Sequence, residues 1–394
     1  MSALSTYRVL ELCESVGGEY CGKLLSDFGA DVIKIERPGS GSPTRGLGPF
    51  GGGEGAAQER SGLFAYLNTN KSSVTLDLAS DAGVQALARL LEHVDIVIDD
   101  HADGWLKRAG LDPASFAEKW PGLVLCSVTP YGQNTPDDRR HAEDLTVFHS
   151  SGWGYHTPGG GYDALPPLKG PGRFLVSYES GMEAAMCIVA ALYEREETGK
   201  GQFIDIAMNE VMASRADYVL AQFIAGEMDV STSRGAFDLG GPAGIFPCKD
   251  GYIYVFMATP QHWGAYLQLT GNPDWARDLP PDWLMKGLTP ERIANCRRDL
   301  CAWLATKGKD EAAAEAQALG MTLVPVNDAR DLLTSPQYVH RRYFAEVTHP
   351  VLGTALYPTV PYQMSETPAR IASPAPLLGQ HNAERLAVLE GKGA

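Results

Sequence analysis

Short apolar runs alternate with longer amphipathic stretches through the first half of the chain. Residues 7–12 (YRVLEL) read as a strand, residues 19–28 as a helix and residues 29–36 (GADVIKIE) as a second strand. The scheme repeats with strand-like residues 74–78, a helix over 81–93 and the apolar run VDIVID at 94–99. A short helix over 113–119 and the apolar run LVLCSV at 123–128 follow. Strands alternating with helices of about 10–15 residues predict parallel βαβ units, hence an α/β fold with a doubly wound sheet. Ligands of such sheets lie beyond the carboxyl ends of the strands.

Two Gly/Pro-rich stretches, residues 39–55 and 152–172, read as long loops of the kind that form lids or binding segments. Ser180-Gly-Met-Glu183 fits a capping box and predicts a helix opening there and running to about Glu196. Its apolar positions Met182, Met186, Val189, Ala190 and Tyr193 share a face expected to enter the core. Gly199 or Gly201 suits the left-handed cap that ends it, and a strand or second helix follows. Residues 240–320 change character: a turn and strand at 250–257 precede helical pieces at 262–269, 290–304 and 310–319. Short strands near Phe344 and Ala355 lead to the closing segment Pro376-Leu-Leu-Gly-Gln-His-Asn.

The 394 residues exceed what one small core needs, so two domains are expected. Net charge is -15, which disfavours nucleic acid because phosphate neutralisation needs clustered Lys and Arg. An anionic small ligand remains compatible, since a few local cations and helix N-termini suffice. Seven cysteines without a CxxC pair predict reduced thiols rather than disulfides or zinc. The first residues lack a basic n-region and a long apolar stretch, and no apolar run approaches the roughly 20 residues of a membrane span. A cytoplasmic protein with no membrane partner is expected. No metal constellation, nicotinamide fingerprint or Walker loop is present.

Seven segments, in order, resemble the class III CoA-transferases, the CaiB/BaiF family. They are RVLEL at 8–12, FGADVIKIERPGSGSPTRG at 28–46, LNTNKSSVTLDL at 67–78, WLKRAGLD at 105–112, SVTPYGQ at 127–133, AALYEREETGKGQFIDIAMNE at 190–210 and PLLGQHN at 376–382. The resemblance implies a Rossmann-like large domain built from both chain ends, a smaller α+β middle domain, and two chains interlocked like links. Drawn onto this sequence, it gives a large CoA-binding domain from 1–215, a linker at 216–239, a small domain at 240–325, and a linker with return to the large domain at 326–394. The ligand implied is an acyl-CoA, bound as substrate rather than as a permanent cofactor, with a carboxylic acid as acceptor.

CoA contacts implied by the motifs are Val16, Arg37, Leu76, Asp100 and Arg108, with His141 at a place where the family often has a basic residue. Arg37 and Arg108 suit phosphate because a guanidinium offers paired, charge-assisted hydrogen bonds. In catalytic members of the family an aspartate four residues before the glycine at position 181 attacks the thioester and forms a mixed anhydride. Ser177 holds that position here and cannot form an anhydride. No GxSxG elbow surrounds it, so it reads as a polar loop or near-cap residue.

Nearby acids offer substitutes. Glu179 lies two residues on, and Glu143-Asp144 falls where the racemase branch of the family carries a His-Asp pair. That branch also implies acids at positions occupied here by Ser177 and Pro247, so racemisation is not expected. The sequence therefore leaves three readings. The chain is the aspartate-lacking subunit of a heteromeric transferase such as benzylsuccinate CoA-transferase, paired with a catalytic paralogue. Or it is a homodimeric transferase using Glu179. Or it is an acyl-CoA lyase, an epimerase or a non-catalytic CoA-binding module. The glycine-rich Leu239-Gly-Gly-Pro-Ala-Gly resembles the family's lid loop, and Trp153, Tyr155, Tyr162, Phe174 and Tyr178 are candidates to line an acyl pocket.

Overall fold

The computed structural model of the protein describes residues 2–52, 54–102, 104–136, 142–156, 172–216, 220–221, 224–226 and 242–387. His141, Tyr162 and residues 239–241 lie outside this set. The chain divides into two compact units. One comprises Met1–Thr157, Leu165–Val230 and Arg342–Ala394; the other comprises Pro158–Ala164 and Ser231–Arg341.

The first unit is organised by six strands: β1 (Arg8–Glu11), β2 (Asp31–Glu36), β3 (Lys71–Thr75), β4 (Ile96–Asp99), β5 (Val124–Thr129) and β6 (Phe203–Ala207). Their order is β3-β2-β1-β4-β5-β6 and every pairing is parallel. This is the doubly wound sheet that the alternating pattern predicts. Strands β4 (IVID) and β5 (VLCSVT) are largely apolar because both faces are covered, whereas β3 (KSSVT) is mostly polar. Val9, Ile96, Ile98, Val124 and Cys126 face one core with Leu25, Ile188 and Leu192. Leu10, Ile33, Val97 and Leu125 face the other with Leu87, Leu91 and Phe116.

The helices of this unit are α1 (Val16–Asp27), α2 (Gly62–Leu67), α3 (Asp81–Leu91), α4 (Trp105–Arg108), α5 (Phe116–Lys119), α6 (Asp144–Ser150), α7 (Trp153–His156), α8 (Leu175–Thr198) and α9 (Met208–Ala213). Helix α8 corrects the sequence reading twice. It starts at Leu175, so Ser180 is an interior residue rather than an N-cap, and Ser177 sits in the first helical turn rather than in a loop. Its apolar positions are also inverted. Met182, Met186, Val189 and Tyr193 are 45–77% exposed, whereas Ser177, Ser180, Gly181, Ala184, Ala185, Ile188 and Leu192 are buried.

The reason is close packing against α1. A Cβ on Gly181 would stand 2.4 Å from the Gly17 carbonyl oxygen, so only a residue without a side chain fits there. Small residues buy that approach by leaving the bulky ones outside. By length and composition alone α8 is long and apolar enough to cross a membrane. Half of its apolar window is nevertheless buried, and its small-residue face belongs to the sheet's core.

Beneath α1 the interior is charged. Lys34, fully buried, contacts Glu11 at 3.0 Å and Glu19 at 2.9 Å, and Lys71 contacts Glu11 at 2.7 Å. Arg45 lies 2.7 Å from Glu36 and 2.6 Å from Glu59, with its guanidinium 3.8 Å above the Phe64 ring. Ser42 and Thr44 each donate to Glu19 at 2.6 Å. These bonds pin the loop after β2, residues 37–47, onto the sheet.

The edge of the sheet at β3 is closed by the C-terminal segment. Ser73 N donates to His381 Nδ1 (3.1 Å), Thr75 N to Asn382 Oδ1 (2.8 Å) and Gly379 N to Ser73 Oγ (2.9 Å). Arg385 reaches Asp31 at 2.7 Å. Phe344–His349 (β10) and Gly353–Pro358 (β11) form an antiparallel hairpin in this unit.

The second unit has a three-stranded antiparallel sheet, β7 (Gly244–Cys248), β8 (Gly251–Phe256) and β9 (Thr322–Val326), ordered β7-β8-β9. The stretch read as a lid thus passes directly into β7. Pro247 is tolerated there because β7 is an edge strand. Helices Pro260–Thr270, Pro290–Leu304 and Lys309–Ala318 pack on the sheet around Trp263, Tyr266, Trp283 and Leu300.

Candidate active site

Strand β1 pairs with β2 on one side and β4 on the other, so the connections leaving β1 and β4 diverge. A crevice opens at such a switch point, beyond the carboxyl ends of the strands. Two adjoining hollows occupy it, of about 980 and 610 Å³, and Glu14 lines both.

The larger hollow is lined by Arg37, Leu76, His101, Trp105 and Arg108. Three implied CoA contacts, Arg37, Leu76 and Arg108, therefore come together here. The Arg37 guanidinium is paired with Glu14 through Nε (2.6 Å) and Nη2, and remains 62% exposed. Arg108 is exposed on α4. Glu14, His101 and Trp105 were not singled out from the sequence. Their signal is position: Glu14 follows β1 and His101 follows β4, at the strand ends where ligands bind.

His101 Nδ1 lies 2.7 Å from Asp99 Oδ1, and its ring stacks on Trp105 at 3.7 Å. Burial disfavours the imidazolium, but the bond and charge of Asp99, with Asp100 and Glu14, outweigh this and raise its pKa.

The smaller hollow is lined by Val16, Thr44, Asp100, Asp144, Phe174 and Ser177, among others. Asp100 does not aim its carboxylate at a ligand. It accepts from Glu14 N (2.9 Å) and Ser15 N (2.7 Å), the free amides ahead of α1. Those are the groups that hold phosphate in dinucleotide-binding sheets. Here an internal carboxylate occupies them, and burial raises its pKa. Asp100 is thus an anchor of the β1–α1 turn.

Asp144 and Ser177 meet at the base of this hollow. Asp144 Oδ1 accepts from Val176 N (2.9 Å) and Ser177 N (3.3 Å), and Ser177 Oγ donates to Asp144 Oδ2. Phe174, the residue ahead of α8, offers no side-chain cap, so the orphan amides of the first turn are satisfied by a carboxylate from α6. Burial raises the pKa of Asp144, against the lowering effect of the Ser177 and Val176 bonds.

Glu179 is not brought to the hollow. Two residues along the helix is about 200° of rotation, which turns it to another face. There it pairs with Arg215 at 2.7 Å, beside Glu183 at 2.7 Å from the same guanidinium. Of the candidate aromatic residues, Phe174 lines the hollow. Tyr178 packs edge-on against Tyr20 at 4.7 Å, and Trp153 donates to the Met212 carbonyl at 2.7 Å.

Comparison with known proteins shows the family and the fold. Succinyl-CoA:glutarate CoA-transferase of Mus musculus is 28% identical over 97% of this chain and 85% of its own. Succinyl-CoA:(R)-benzylsuccinate CoA-transferase subunit BbsE of Thauera aromatica is 28% identical over 97% of this chain and 93% of its own. The crystal structure of a CAIB/BAIF family protein from Brucella suis superposes with a TM-score of 0.81 at 26% identity, covering 100% of both chains. The model of CoA-transferase family III matches residues 4–382. The chain belongs to CoA-transferase family III.

Proposed function

We propose that an acyl-CoA lies along this crevice, with its phosphates against Arg37 and Arg108 and its thioester at Asp144 and Ser177. In this reading the chain takes part in moving CoA between an acyl-CoA and a carboxylic acid. It does so as a subunit without the usual nucleophilic aspartate, paired with a paralogue that carries one. The observation behind the reading is the serine at position 177, which lines a hollow adjoining the arginine-lined one at Glu14.

Two features support a partner chain. The exposed stripe of Met182, Met186, Val189 and Tyr193 on α8 is an apolar surface of the kind that interfaces cover. One similar protein is itself named as a subunit. A homodimer working through Glu179 has less support, because that carboxylate is held by Arg215 away from the hollow. No specific observation favours a lyase or epimerase.

CoA exchange between succinyl-CoA and a panel of carboxylic acids tests the reading, with this chain alone and with a paralogue that has aspartate at the position of Ser177. Exchange only in the pair is expected. Exchange by the chain alone would overturn the division of labour.

A further inference from the structure

We propose that Ser177, with Asp144 as its base, accepts the acyl group of an acyl-CoA as a seryl ester and passes it to water, so that this chain alone hydrolyses acyl-CoA thioesters. The proposal rests on the reading above only in placing the thioester in the smaller hollow.

The geometry is that of an activated nucleophile: a hydroxyl within hydrogen-bond reach of a base that a third group holds in place. Ser177 Oγ donates to Asp144 Oδ2, and the amides of Val176 and Ser177 hold Oδ1 at 2.9 and 3.3 Å. Both residues line the hollow, and Ser177 is only 5% exposed, so little of it meets open solvent. It sits in the first turn of a 24-residue helix, whose dipole favours negative charge developing on an attacked carbonyl. Burial of Asp144 raises its proton affinity, in the sense a general base requires.

The chemistry separates this activity from CoA transfer. Ser177 Oγ bonds to the acyl carbon, its proton passes to Asp144, the C–S bond breaks and CoA leaves as the thiol with that proton. Water then attacks the ester carbon and gives a proton to Asp144. The Oγ–C bond breaks, Ser177 takes the proton from Asp144, and the acid departs as a carboxylate with one proton released to solvent. An incoming carboxylate cannot replace water usefully, because it would have to expel a serine alkoxide to form an anhydride.

The test uses the full chain with succinyl-CoA and no acceptor acid, following free thiol and succinate. One-to-one release is expected, with a succinyl adduct on the peptide containing Ser177 after an acid quench. Ser177→Ala is expected to lose the adduct and the release. Asp144→Asn is expected to slow release by about 10²–10⁴-fold, the usual value of a positioned base. Ser177→Asp is expected to exchange hydrolysis for CoA transfer to added carboxylic acids. An adduct on another residue, or hydrolysis that persists in Ser177→Ala, overturns the proposal. So does succinyl-CoA binding, measured by calorimetry, without thiol release; that result leaves the partnered-subunit reading intact. Absence of succinyl-CoA binding overturns both.

Discussion

The interiors of the two units are built from opposite materials. Beneath α1, Glu11, Glu19, Lys34, Glu36, Arg45 and Lys71 are all nearly inaccessible and satisfy one another through ion pairs and hydroxyl bonds. In the second unit Trp263 stacks on Tyr266 at 4.7 Å and meets Trp283 edge-on at 4.9 Å. Aromatic packing is tolerant of small shifts, whereas a buried charge is stable only with its partners in place. The directional interior lies under the loop after β2, whose residues line both hollows of the crevice. The tolerant interior holds a three-stranded sheet together. Charges are thus used where a wall of the crevice has to be held in one position.

Breaking the charged interior should have the largest effect. Lys34→Met leaves Glu19 without its 2.9 Å partner, and a cost of about 3–5 kcal/mol is expected in urea unfolding of the first unit's transition. Succinyl-CoA binding should weaken with it, because Ser42 and Thr44 lose their fixed acceptor. Glu36→Gln should cost about 3 kcal/mol at neutral pH, and the deficit should vary with pH. Burial alone would raise the pKa of Glu36, but Arg45, Lys34 and Ser73 lower it in balance. A carboxylate depressed in the folded state stabilises above its unfolded pKa and loses that contribution as pH falls through the folded one. The gap between wild type and Glu36→Gln should therefore be constant above about pH 5 and close in stronger acid. A gap independent of pH would mean that the ionised pair contributes nothing.

The aromatic interior provides the contrast. Trp283→Ala should cost about 3 kcal/mol in the second unit without changing succinyl-CoA binding. Trp283→Phe should cost under about 1.5 kcal/mol, since Trp283 Nε1 is buried without a hydrogen-bond partner among the described residues and none of them is orphaned by its removal. If Trp283→Phe proved as costly as Lys34→Met, the distinction between the two interiors would fail. At the small end, Lys286→Ala removes an exposed pair with Asp282 and should leave the unfolding midpoint unchanged.

The sheet was legible because its strands are buried on both faces and separated by helices, so local pattern and tertiary position agree. The start of α8 was not. Ser180 and Glu183 have the spacing of a capping box, while the group that caps the helix is Asp144, brought there by the fold and not by sequence proximity. The exposed stripe on α8 misled for a related reason. Periodicity marks the bulky apolar face, but the close approach of α1 at Gly17 selected the small-residue face for burial. The motifs did single out Arg37, Leu76 and Arg108, which line one hollow of the crevice. Glu14 and His101 lie outside the quoted segments and emerge only once the strand ends are known, while Trp105 opens the segment WLKRAGLD without being singled out from it. Asp100 also lines the crevice, but its bonds to the amides ahead of α1 are visible only in three dimensions.

The closure of β3 by the C-terminal segment has a consequence for biosynthesis. The amide of Ser73 waits for a side chain 308 residues further along the chain. At ribosomal rates of about 5–20 residues per second that interval is roughly 15–60 s. Throughout it, a nascent sheet would present β3 as an open edge, the feature that recruits foreign strands. Only when residues 379–382 emerge can the molecule seal itself, so translation stalled in the second unit should yield a product prone to aggregate.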